Sequence, residues 1–278
     1  MKQPNGEVKY SFSPSLLDSF AYLLNSEESY DKYWGKSEDP SMSLEEYELS
    51  LEQSLLDSIN RVPFSSEAAA KGTCFNDLVD TLVHQKVCGK TAMRQIKNES
   101  GICEAVRCEL TEMLNNVKID YSFDFDIALA REAADYFKGC LKQVLVNAYI
   151  DTKYGIVNLY GFIDELRENV VYDIKTTKSY SFGDFEHKWQ RHVYPYCLIE
   201  SGMCTDVKEF EYTIFKLVGG NTKQKYITAD VSREVYSYNH EQSTKQIREH
   251  CEHFIQFIDA HREQITNDLI FREHEHNH

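Results

Sequence analysis

The chain is poor in residues that interrupt structure. Only five prolines and 12 glycines occur among its 278 residues, and no Gly/Ser-rich or Pro-rich stretch marks a linker. That excludes collagen-like and low-complexity chains. No two of the eight cysteines form a CxxC pair, so zinc-ribbon spacing is absent. The scattered thiols instead suit a reducing compartment. No run approaches the roughly 18 apolar residues that span a bilayer. The opening MKQPNGEVKYSF lacks the apolar core of a secretory signal. The expectation is a cytoplasmic protein without a membrane, in the host cytoplasm if it is virus-encoded. The terminal HEHNH reads as a frayed, solvated end rather than a chelator.

Positive charge is also scarce. Lys+Arg total 30 against 45 Asp+Glu, a formal net charge of −15. Nucleic-acid proteins usually carry a basic footprint, so the balance argues against that class at first sight. The excess is uneven, however. Residues 1–60 hold 12 acidic and four basic side chains, whereas residues 170–225 hold seven and eight. What the chain has in quantity is core material, with 42% hydrophobic residues, 15 Phe and 18 Tyr.

The hydrophobic periodicity predicts one domain of mixed α/β class in three stretches. Residues 1–142 read as mainly helical, 143–230 as a sheet core, and 231–278 as a C-terminal helix and tail. Ser15 to Asp18 has a capping-box pattern ahead of Leu16, Phe20, Leu23 and Leu24. Ser43 and Glu46 repeat the box before Tyr47, Leu51, Leu55 and Ile59. Further helices are expected over 66–86, 126–140 (Ala130, Ala134 and Phe137 inward), 186–201 with a kink at Pro195, and 232–264. The last carries Ile247, Cys251, Phe254 and Ile258 on one stripe. Residues 87–125 give no clear period. Segments 143–151, 155–164 and 170–176 are rich in β-branched and aromatic residues and closely spaced, which predicts an antiparallel meander. Segments 208–218 and 223–229 flank Gly219-Gly220-Asn221, a hairpin signal.

The chemistry lies in residues 161–178, GFIDELRENVVYDIKTTK. Asp173 and Lys175 are two apart in a strand, so both point to one face while Ile174 points to the other. A turn centred on Glu168-Asn169 sets Asp164 opposite Asp173, with Cβ atoms about 4.5–5.5 Å apart. An odd-length loop would shift that register and turn Asp173 away. Two carboxylates at about 5 Å repel by about 3 kcal/mol at an effective dielectric near 20. A hard divalent cation between them relieves the repulsion. The Ile174 carbonyl can add a further oxygen. Lys175 is placed to stabilise developing negative charge or to position water. This group of residues suits phosphodiester hydrolysis with Mg²⁺ or Mn²⁺.

These residues resemble the PD-(D/E)xK nuclease superfamily, in particular its RecB-type exonuclease branch. Gly161-Phe162-Ile163-Asp164 matches its GxxD element, and Asp173-Ile174-Lys175 followed by Thr176 matches its DxKT form. Gln190 and Tyr194, four apart in Gln190-Arg191-His192-Val193-Tyr194, match its QxxxY motif. Ser11-Phe12-Ser13-Pro14-Ser15 is similar to its serine-rich entry. The branch often carries GxxxHxxxE upstream. Here Gly72 matches, Asn76 stands for the His and Asp80 for the Glu, with His84 one turn further on.

The resemblance implies a restriction-endonuclease-like core, a central mixed sheet flanked by helices, with a helical N-terminal elaboration. It implies a Mg²⁺- or Mn²⁺-dependent deoxyribonuclease. Asp164, Asp173 and Lys175 would be catalytic. Asp164, Asp173 and the Ile174 carbonyl would hold metal, with Asn76 and Asp80 as further candidates. Gln190, Tyr194, Thr176 and Arg191 would serve the substrate. No cysteine quartet suits the iron–sulfur cluster of some members. DNA is the implied partner, with a recombination or single-strand-binding protein beside it. An exonuclease acting on DNA ends in recombination, repair or replication is the leading reading. A nuclease-fold binder that does not cut and an endonuclease are its alternatives.

Overall fold

The computed structural model describes residues 6–271 apart from 36 and 38. The HEHNH end lies outside the described residues. The chain begins with β1 (Val8–Phe12), followed by α1 (Pro14–Leu24), α2 (Ser26–Trp34), α3 (Leu44–Ile59) and α4 (Glu67–His84). Then come β2 (Ala92–Lys97), β3 (Cys103–Leu114), β4 (Val117–Asp126) and α5 (Ile127–Tyr136). The second half holds β5 (Leu141–Thr152), β6 (Gly155–Arg167), β7 (Val170–Thr177), α6 (Gln190–Glu200), β8 (Glu209–Val218), β9 (Thr228–Ser237) and α7 (His240–Ala260). The result is a mixed α/β structure. Its larger sheet is mixed and flanked by helices, in the order β1-β6-β7-β8-β9 with β5 also on β6.

The expected meander is present, since β5–β6 and β6–β7 are both antiparallel. The Glu168-Asn169 turn pairs Arg167 with Val170, Leu166 with Val171 and Glu165 with Tyr172, as the sequence register required. β1 and β8 add parallel neighbours, to β6 and β7 respectively. A buried hydrogen bond from the Asn158 side-chain amide to Ser11 Oγ, at 3.0 Å, pins β1 to β6.

Helices cover both faces. On one, α1, α3, α6 and α7 pack Leu17, Phe20, Leu55, Val193 and Phe254 against Val157, Leu159, Val171 and Ile214. On the other, α4 and α5 pack Phe75, Leu78 and Ala130 against Ile174 and Phe215, with β3 and β4 closing that layer. The expected stripe of α7 is intact, with Ile247, Cys251, Phe254 and Ile258 all fully buried. Each large apolar chain so buried contributes roughly 1.5–3 kcal/mol.

Four expectations need correction. The α1 N-cap is Ser13, not Ser15, because Pro14 occupies the first turn, where a missing N–H costs nothing. The Ser43–Glu46 capping box does form. Residues 92–126 are an antiparallel three-stranded sheet, so 1–142 is not mainly helical. Charged residues on its outward face hide the alternation, and the β3–β4 turn uses Asn115-Asn116, both at positive φ, rather than a glycine. Residues 232–237 belong to β9, because β8 needs a ladder partner; the helix starts only after the Asn239 N-cap. The next helix back, α6, starts at Gln190 rather than 186 and runs through Pro195.

Candidate active site

The site arises where the sheet forks. β5 occupies one edge of β6, and two strands share the other. β1 pairs with Ile156, Val157, Asn158 and Leu159, and β7 with Glu165, Leu166 and Arg167. Residues 160–164 lie between them without a ladder partner on that edge. The next β6–β7 pair would be Asp164 with Asp173, but the ladder stops one residue short. Instead the Asp164 carboxylate accepts the Ile174 N–H at 3.0 Å, with the Gln143 amide at 3.3 Å from its other oxygen. Burial, and next the charge of Asp173, push the Asp164 pKa up to about 7. The Ile174 N–H and Lys175 offset only part of that rise.

Asp173 is 2% exposed, with one oxygen hydrogen-bonded and the other held only by an ion pair. Its Oδ1 accepts from Gln190 Nε2 at 2.7 Å, and its Oδ2 faces Lys175 Nζ at 2.7 Å. Lys175 Nζ also donates to Gln190 Oε1 at 2.7 Å, which closes a three-membered ring of contacts. Lys175 lies 5.7 Å from the centroid of the Tyr212 ring. Its burial lowers its pKa, but Asp173, Asp164 and Asp18 more than offset this and hold it above the ordinary lysine value. The ammonium is therefore a fixed positive charge at neutral pH.

Two glycines set the distances. A Cβ on Gly161 would stand 2.6 Å from Tyr194 Cε1, so the Tyr194 ring rests directly on β6. A Cβ on Gly72 would stand 2.7 Å from Thr176 Oγ1, so α4 approaches β7 closely on the opposite face. Tyr194 is only 6% exposed, which makes it a packing residue rather than a surface presented to a strand. Its phenol pKa is raised, first by burial and then by Asp173.

The structure thus brings together Asp164, Asp173, Ile174, Lys175, Gln190 and Tyr194. Thr176 faces α4 instead. Arg191 is turned away, donating to the Glu186 carbonyl at 2.7 Å and lying over the Tyr236 ring at 4.6 Å. Asp80 sits with Glu165 and Lys142 rather than with Asp173. Asn76 Oδ1 and His84 Nε2 are buried without hydrogen-bond partners.

One contributor was not read from the sequence. Asp18 on α1 accepts the Trp189 N–H at 2.6 Å and faces Lys188 at 3.7 Å. It ties α1 to the start of α6, and its field reaches Lys175 and Asp173. Burial raises its pKa despite Lys188. The available signal was a carboxylate between Leu17 and Phe20, on the inward side of an apolar stripe.

The residues fit a hard cation. Asp173 is buried and Asp164 half-buried, the two carboxylates repel one another, and Ile174, directly after Asp173, offers a main-chain carbonyl. Mg²⁺ commonly binds through one or two carboxylates while keeping several waters. Among the described residues, no three His, Cys, Asp or Glu side chains converge as a ligand set.

No protein-family model matches the chain, and no curated protein matches it. Among solved structures, one described as "Crystal structure of SSO0001" overlaps 47% of this chain and 57% of its own, at 13% identity and a TM-score of 0.32. The overlap is too slight to bear on fold or function. Among the described residues, no helix is long and apolar enough to cross a membrane.

Proposed function

We propose that the protein is a metal-dependent DNA nuclease with a restriction-endonuclease-like core of the RecB type, acting on DNA ends as an exonuclease. The observation that carries the reading is the closed Asp173–Lys175–Gln190 ring set beside Asp164 at the fork. A purely structural ion pair has no need of the second, half-buried carboxylate. Asp164, Asp173 and the Ile174 carbonyl would hold Mg²⁺ or Mn²⁺. When bound, the ion supplies Lewis acidity and lowers the pKa of water.

The chain's own residues do the rest. Lys175 supplies positive charge beside the oxygens that become more negative during phosphodiester cleavage. Gln190 donates to Asp173 and accepts from Lys175, so one amide fixes both groups in orientation. The Gly161–Tyr194 contact holds α6 against β6 and keeps Gln190 in reach. Asp18 holds the first turn of α6 from the other side. Under this reading the partners are DNA and a recombination or single-strand-binding protein in the cytoplasm.

A second reading, a nuclease-fold binder that does not cut, draws on Asn76 standing where the resembled family carries His, and on the net charge of −15. One experiment separates the two. Linear and covalently closed DNA are incubated with Mg²⁺ or Mn²⁺ and the full-length protein. Loss of linear DNA alone supports the exonuclease, and cutting of closed circles converts it to an endonuclease. No product, or product unaffected by Asp173→Asn, defeats the nuclease reading in favour of the binder.

A further inference from the structure

Glu165 follows Asp164 on β6 but serves a different surface. It is fully buried, and no N–H or hydroxyl group donates to either carboxylate oxygen; its one hydrogen-bonding neighbour is a second carboxyl group. The group facing it is another acid, Asp80 of α4, itself 6% exposed. Asn76 lies one helical turn before Asp80 on the same face of α4, and its side-chain carbonyl is also buried without a donor. The positive group at hand is Lys142, whose Nζ is 3.6 Å from Asp80 Oδ2. Asp77 cannot absorb it, being taken up by the Thr91 hydroxyl and the Lys90 and Thr91 N–H groups. Acceptor oxygens therefore outnumber donors in a space closed to solvent. Desolvating two carboxylates costs several kcal/mol per ion unless something compensates. A bound ion or water is one way in which such buried acceptors gain a partner.

We propose that Asp80, Glu165 and the Asn76 side-chain carbonyl form a second site for a hard divalent cation, one that clamps α4 to β6 behind Asp164. The donors are all oxygen, which selects Ca²⁺, Mg²⁺ or Mn²⁺ over softer metals. Lys142 supplements the ion's charge from the β5 side. His84, one turn beyond Asp80, does not converge with the two acids as a third ligand. The site tightens the packing that brings Gly72 onto Thr176 and braces β6 at the fork. It does not require the nuclease reading.

Counting bound Mn²⁺ by electron paramagnetic resonance on the full-length protein at pH 8 tests it. The wild type is expected to bind one more Mn²⁺ than Glu165→Gln, and Asp80→Asn to behave like Glu165→Gln. Asp173→Asn is expected to keep the Glu165-dependent ion. Ca²⁺ is expected to raise the melting temperature of the wild type more than that of Glu165→Gln, and the Glu165-dependent part of the rise is expected to persist in Asp173→Asn. Equal Mn²⁺ counts in wild type and Glu165→Gln overturn the proposal and leave a shared proton between the two acids. Because Gln matches Glu in shape and removes repulsion, Glu165→Gln should fold. DNA cleavage that survives Asp173→Asn defeats the nuclease reading without changing this count, so the two fail separately.

Discussion

Asp164 and Glu165 are neighbours in the chain, yet their carboxylates meet opposite surroundings. Asp164 faces a side supplied with donors: the Ile174 N–H, the Gln143 amide, and beyond them Lys175 and Gln190 around Asp173. Glu165 faces α4, which contributes further acceptors. Successive strand residues address opposite sides, so one step along β6 moves from a network rich in donors to one rich in acceptors. On the first side the protein supplies most of its own compensation. On the second, it leaves compensation to a proton, a cation and one lysine. Satisfied networks fix geometry, whereas unsatisfied ones couple stability to the medium.

The largest expected effect is on the donor-rich side. Lys175→Met removes the ammonium from the ring and leaves Asp173 buried with only Gln190. Breaking a buried pair in this way costs about 3–5 kcal/mol, readable by urea unfolding. Under the proposed function, cleavage should fall on the order of 100- to 1000-fold, the usual cost of losing one charge-stabilising group. A stability loss under about 1 kcal/mol would show that Gln190 alone satisfies Asp173, and the contrast between the sides would weaken.

The next effect tests the other side. Burial, then the charges of Asp80 and Asp164, raise the Glu165 pKa from 4.5 to about 9, and Lys142 offsets only part of it. The folded protein thus holds a proton that the unfolded chain releases above pH 4.5. The associated stability is complete below pH 4.5 and is lost as pH rises through about 9. Glu165→Gln should remove this slope, a difference on the order of 5 kcal/mol between pH 5 and 9. Thermal melts in EDTA from pH 5 to 9 provide the measurement. Parallel curves for wild type and variant would mean that Glu165 is compensated after all.

A smaller effect sharpens the comparison at the fork itself. Gly161→Ala drives a methyl into the Tyr194 ring and should cost about 1–3 kcal/mol by overpacking. In a Tyr194→Ala background the same substitution should cost almost nothing. Denaturant curves of the four proteins in the cycle give the coupling. Additive costs would show that the ring is not what excludes a side chain at position 161.

Much of this was written locally. Asp173 and Lys175 share a face because strands repeat every two residues, and Gln190 and Tyr194 stack because helices repeat near four. The Glu168-Asn169 turn fixed the register from within ten residues of the site. What was hidden depends on long loops of chain. Asp18 meets Trp189, Gly72 meets Thr176, and Asp80 meets Glu165 across separations that no local period encodes. The β2–β4 sheet was hidden for another reason, since its exposed face carries charges where an alternating pattern would show.

The sequence alone therefore determined the element types around the fork, the turn that aligns Asp164 with Asp173, and the residues that contact one another there. Tertiary structure decided the rest. It buried Tyr194, turned Arg191 toward Glu186 and Tyr236, recruited Asp18, and set Asp80 against Glu165. The reason is physical: strand and helix periods fix which way a side chain leaves its own backbone, while only packing fixes what it meets.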